Sequence, residues 1–274
     1  MTGFVLTFHA QNISGGTYAT NDHVALDECL AMLRREQIPA LRALEVVRRL
    51  RRGLFGSLPE RFVCFTFDDG TDFDWRGMVH PQHGPQASLW SILRKHSRHV
   101  LGPWWLRRFP ATSFVLASPE ARREISQAAF GDPALMSDDW WRAAQSSGLM
   151  DIGSHGWDHV HPAVSVVRDE RPGLLEAFQN VSGEVEAKRQ IDDSLAFIRA
   201  KAGRDAGRLF AYPYGQVSEY LATEHLPRQR ETWAAFGAEP RALRADSDPW
   251  RLPRYVCGYH WKSNEELLRL MADG

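Results

Sequence analysis

Cysteine is scarce in this chain: Cys29, Cys64 and Cys257 are odd in number and far apart. No two of them stand at a metal-site or redox-pair spacing. That pattern excludes a disulfide framework and a thiolate cluster, and fits buried thiols in a reducing compartment. An excess of charge is also missing, with 33 Lys+Arg against 34 Asp+Glu. Nothing in that balance points to nucleic acid or an anionic membrane surface as a partner. No apolar run is long enough to span a bilayer. Met1 is followed by a β-rich stretch instead of a basic region and a long apolar one. No signal peptide is therefore read, and the expected location is cytoplasmic. Repeats, low-complexity tracts and linkers are absent as well. The expectation is one domain over residues 1–274, a length at which a single α/β barrel is common.

What is present is a run of short β-rich segments at residues 4–8, 62–67, 112–117, 150–153, 209–212 and 252–256. They are continuously apolar, as strands covered on both faces are. Helical patterns lie between them. Residues 22–36 follow an Asn21/Asp22 cap, residues 138–147 start at Ser137 and stop at Gly148, and residues 184–201 carry Ile191, Leu195 and Ile198 on one stripe. Ser263-Asn264-Glu265-Glu266 reads as a capping box that opens the last helix. The arginines at 48, 49, 51 and 52 sit in a helical pattern and read as its solvated face. Strand and helix alternate along the whole length, which predicts a parallel sheet with outer helices, so an α/β barrel or a doubly wound fold. Residues 71–109, with Trp75, His80, His83, Trp90, Trp104 and Trp105, read as a long loop plus a helix inserted near the site.

Three segments carry chemistry. Thr66-Phe67-Asp68-Asp69-Gly70 ends a buried strand in two adjacent carboxylates. Asp-Gly is a common turn signal, but neighbouring acids repel, and the C-terminal end of a barrel strand is where active sites gather. Ser154-His155-Gly156-Trp157-Asp158-His159 places two imidazoles four residues apart. Gly156 stands where the helical zinc-protease motif needs its glutamate, so a zincin is not expected. His161 remains open as the second nitrogen ligand. Together, the acids and histidines supply the oxygen and nitrogen donors of a metal such as zinc, with one carboxylate to spare. Leu209-Phe210-Ala211-Tyr212-Pro213-Tyr214-Gly215 is a strand entering a rigid turn, either a plain strand end or a backbone amide aimed at an oxyanion.

In this order the three segments resemble the polysaccharide deacetylases, the fourth carbohydrate esterase family. Phe109-Pro110-Ala111-Thr112-Ser113-Phe114-Val115 and the approach from Ser147 to His155 are similar too. Val5-Leu6-Thr7-Phe8-His9 resembles the opening strand of the permuted, poly-N-acetylglucosamine deacetylase branch. The resemblance implies a distorted (β/α)7 barrel, with Asp69, His155 and His159 holding a divalent metal, most of all zinc. It implies Asp68 as general base, His9 as acid, and Tyr214 with Pro213 at the oxyanion. Many family members carry an arginine two residues before the proline of the third segment, where this chain has Ala211. The stretch Asp246-Ser247-Asp248-Pro249-Trp250-Arg251-Leu252-Pro253-Arg254 resembles the part of the permuted branch that comes after its third segment. By that likeness Asp248 or Arg254 supports the catalytic pair, and Trp250 lines the pocket. The implied activity is removal of N-acetyl groups from an amino-sugar polymer, oligosaccharide or glycoconjugate. A metal-dependent amidohydrolase of small non-sugar amides and an inactive sugar-binding relative are the alternatives.

Overall fold

A computed structural model describes residues 1–80, 82–97 and 108–274. The elements run β1 (Thr2–His9), α1 (Asp22–Arg35), α2 (Ala43–Arg51), β2 (Arg61–Asp68), β3 (Met78–His80), β4 (Gly84–Gln86), α3 (Leu89–Ser97), β5 (Ala111–Val115), α4 (Pro119–Phe130), α5 (Trp141–Ser146) and β6 (Met150–Ser154). Then come α6 (Ser165–Glu170), α7 (Glu184–Ala187), a π-helical stretch (Lys188–Asp193), α8 (Ser194–Ala202), β7 (Leu209–Ala211), α9 (Leu226–Arg228), β8 (Ala234–Phe236), β9 (Tyr255–Val256) and α10 (Asn264–Asp273).

Seven strands form one sheet in the order β8-β7-β6-β5-β2-β1-β9, and every named pair in it is parallel. The two edges meet in the C-terminal segment. Leu252 bridges Phe236 of β8, while Tyr255 and Val256 pair with Leu6 and Thr7 of β1. The sheet therefore curls into the distorted (β/α)7 barrel that the family resemblance implies. Apolar residues fill its strands because both faces are covered. Leu6, Phe8, Phe65 and Phe67 are inaccessible to solvent, and Phe8 meets Trp261 edge to face at 5.7 Å.

Several expectations shift. The run at 252–256 is strand only at its last two residues, since Pro253 offers no N–H to a ladder. β8 was not expected at all; two of its three residues are alanine, which favours helix. The helix expected from Ser137 begins at Trp141, because the Ser137 hydroxyl is bound to Asp72 and Asp139 instead of capping. Residues 71–109 hold a short hairpin, β3 with β4, besides the expected helix. Trp104 and Trp105 lie outside the described residues. Among the described residues, no helix is long and apolar enough to cross a membrane.

Candidate active site

Parallel pairing brings the strands' C-terminal ends to one rim, and the candidate residues gather there. His9, the last residue of β1, lies in register with Asp68, the last residue of β2. β6 ends at Ser154 and delivers His155, and β7 leads into the Pro213–Gly215 turn. Gly70 lets the chain leave β2 sharply: its φ is +64°, and a Cβ there would sit 2.8 Å from the Val115 backbone.

Asp69, His155 and His159 converge. One donor atom from each lies within 4.8 Å of the others. His155 Nε2 is 3.6 Å and His159 Nε2 3.4 Å from Asp69 Oδ1. The His155 Nδ1–H donates to the Ala211 carbonyl at 2.8 Å, which fixes the tautomer and turns the Nε2 lone pair toward the cluster. Gln11 donates to the other oxygen of Asp69 and leaves Oδ1 for the histidines. Burial pushes His159 down to about 3 against the pull of Asp69, so its imidazole is neutral, the form that ligates. Two imidazoles and one carboxylate fit zinc with positions to spare. These residues could hold a divalent metal. His161 is half-buried beside them, its ring 6.0 Å from that of His159, and its Nδ1 accepts the Ala163 N–H.

Asp68 stands next to this cluster, with Oδ2 3.8 Å from His155 Nε2. Both of its oxygens are gripped by Arg254, at 2.7 and 2.9 Å. Burial alone would raise this carboxyl, but the Arg254 guanidinium, helped by His155 and His9, holds it below the usual carboxylate range. Arg254 is itself 1% exposed and donates to the Gly237 carbonyl at 2.7 Å. The place left by Ala211 is thus filled from the segment that leads into β9.

A cavity of about 800 Å³ opens over this rim, lined by His9, Asp68, Asp69, His155, His159 and Tyr214, among others. Tyr214 sits at a left-handed φ of 58°, its ring 4.4 Å from that of His159, while Pro213 is buried beneath the turn. A larger cleft of about 1,200 Å³ opens near the start of the strands, beside Thr2, Arg61 and Pro110, but it gathers no comparable donor set.

Two expectations are corrected. Asp248 does not reach Asp68 or His9; it accepts the Trp250 N–H at 2.9 Å and pairs with Arg251 on the surface. Trp250 does not line the cavity; it packs against the apolar cluster that holds Phe210, Tyr212 and Ala235, with the Arg51 guanidinium 5.7 Å from its ring centre. Both lie in a turn closed by the Arg251 N–H on the Asp248 carbonyl at 3.0 Å. The sequence reading missed Gln11, Tyr259 and His260, which also line the cavity. Gln11 had a signal, two positions after His9; the other two lie past a turn at Gly258 and had none.

The profile of the polysaccharide deacetylase family matches residues 56–226, so the chain belongs to that family of carbohydrate deacetylases. No curated protein matches the chain in sequence. Among solved structures it is similar to a de-N-acetylase from Aggregatibacter actinomycetemcomitans (16% identity, TM-score 0.67, covering 98% of this chain and 100% of that one). It is also similar to IcaB from Ammonifex degensii (19%, 0.66, 99% and 96%). A third is the Streptococcus pyogenes deacetylase PplD in complex with acetate (17%, 0.66, 99% and 98%).

Proposed function

We propose that this chain is a metal-dependent hydrolase that removes N-acetyl groups from an amino-sugar polymer or oligosaccharide. The convergence of Asp69, His155 and His159 beside the Arg254-bound Asp68 carries the reading. Asp69 and the two histidines would hold a divalent ion, zinc by donor type, which would supply an acidified water and a Lewis acid for the amide carbonyl. Asp68 takes the proton of the attacking water. The Tyr214 backbone N–H faces the oxygen on which charge develops. His9 protonates the departing sugar amine, without which that group does not leave.

Cavity shape favours a polymer over a small amide. A further cavity of about 770 Å³ shares Ala129 and Phe130 with the catalytic one and runs on beside Met78, Val79 and His80 of the hairpin. Two adjoining cavities suit a chain of sugars better than a small amide.

The test joins metal analysis to acetate release from N-acetylglucosamine oligomers, for wild type and Asp68→Asn. Both proteins should hold the metal and only the wild type should release acetate. Equal turnover in the two would remove Asp68 from the base role, and a wild type without bound metal would remove the hydrolase reading.

A further inference from the structure

Behind the turn that carries His159 lies a buried polar set with no part in the chemistry above. The Arg171 guanidinium bonds Asp158 through one nitrogen and Glu186, at 2.6 Å, through the other. Gln190 donates to Asp158 Oδ1 and to Glu186 Oε1, both at 2.9 Å, and accepts the Trp157 N–H at 2.9 Å. Asp158 Oδ1 also accepts the Val160 N–H at 3.1 Å. The backbone is thereby fixed on both sides of Asp158.

That backbone is in an unfavourable conformation. His159 has φ 60° and Val160 φ 46°, left-handed values that a β-branched residue rarely adopts. Such strain persists only where the surroundings over-determine it. Two features of the chain serve the arrangement. The π-helical stretch Lys188–Asp193 widens the helix where Gln190 points inward and is wholly buried. Gly156 leaves room for it, since a Cβ at that position would sit 2.9 Å from Gln190 Oε1.

We infer that Arg171 and Gln190 are positioning residues: acting through Asp158, they hold the turn in its left-handed form so that His159 meets Asp69 and His155 around one ion. The inference rests on the proposed metal site. Deleting either side chain lets the turn relax and withdraws one ligand, so metal affinity should fall while the barrel stays folded.

Zinc affinity by competition titration and the cobalt(II) absorption spectrum, measured on the full chain, test this. Arg171→Met and Gln190→Met should bind zinc about 10- to 100-fold more weakly, the usual effect of losing an outer support of a metal ligand, and their cobalt bands should change shape. Arg171→Lys should recover part of the loss. Leu195→Ala, on the neighbouring turn of helix and packed near Gly207, should lower stability and leave zinc affinity alone. If Arg171→Met does not fold, Gln190→Met and Arg171→Lys decide. Zinc affinities within about twofold of wild type in folded variants would overturn the inference, as would an equal loss in Leu195→Ala. A wild type that binds neither metal would instead sink the metal site itself, and the inference with it.

Discussion

Arg254 meets Asp68 with two parallel N–H···O bonds, 2.7 and 2.9 Å long, across 186 residues of sequence. The pair is buried, so its guanidinium holds Asp68 ionised where burial would otherwise neutralise it. Arg254→Met leaves that buried carboxylate without its guanidinium, which costs about 3–5 kcal/mol or is relieved by proton uptake. A protonated Asp68 takes no proton from water. Acetate release should therefore fall at least about 100-fold, the lower bound for a positioned base. Arg254→Lys keeps the charge but not the fork and should fall between the two. Kinetics with metal content on the same samples check this; unaltered turnover in Arg254→Met would refute it.

His9 should matter in proportion to how badly the leaving group needs a proton. An amine leaves only when protonated, whereas a nitrophenolate leaves unaided. His9→Ala should lower kcat on N-acetylated sugars by about 100-fold or more and barely affect hydrolysis of 4-nitrophenyl acetate. Equal losses on the two substrates would mean that His9 serves the architecture and not proton transfer.

Much of this site was legible because its residues sit at strand ends. Continuous apolar runs marked β1, β2 and β6, and the polar residues closing them had to lie on one rim once the strands were parallel. Arg254 was half legible: the likeness of the 246–254 stretch offered Asp248 or Arg254 as the support of Asp68, and only the geometry of the turn separates them. Trp250 misled because tryptophan serves sugar stacking and flank packing equally well. β8 was hidden by its alanines. Gln190 could not be read at all, because an ordinary helical period does not register a π-helical turn, and its partners Asp158 and Arg171 meet it only through tertiary packing.

Gly70 allows no side chain. Its φ of +64° disfavours one, and a Cβ would lie 2.6 Å from Val115 Cγ1 and 2.8 Å from its Cα. Gly70→Ala should destabilise the protein by about 1–3 kcal/mol and shift Asp69 away from the histidines. Chemical denaturation and zinc titration measure the two effects; a variant matching wild type in both would show that the turn is more yielding than its contacts suggest.

Asp22 gives the stability a pH dependence of definite sign. Its carboxylate accepts the His9 backbone N–H at 2.7 Å, and burial pushes its pKa up to about 6, with the His9 and Cys257 interactions opposing. Folding therefore binds this proton more tightly than the unfolded chain does. The stabilisation is complete below the unfolded value near 4 and is lost as pH rises through 6. A shift of this size corresponds to about 3 kcal/mol. Asp22→Asn keeps an oxygen to accept from His9 and has nothing to titrate. The stability of Asp22→Asn relative to wild type should climb between about pH 4 and 6 and level off above, by that amount at most. Urea unfolding of the metal-free proteins across that range measures the difference, in which the other titrating groups cancel. A difference independent of pH, or one that grows toward acid, would show that Asp22 is ionised in the folded chain throughout.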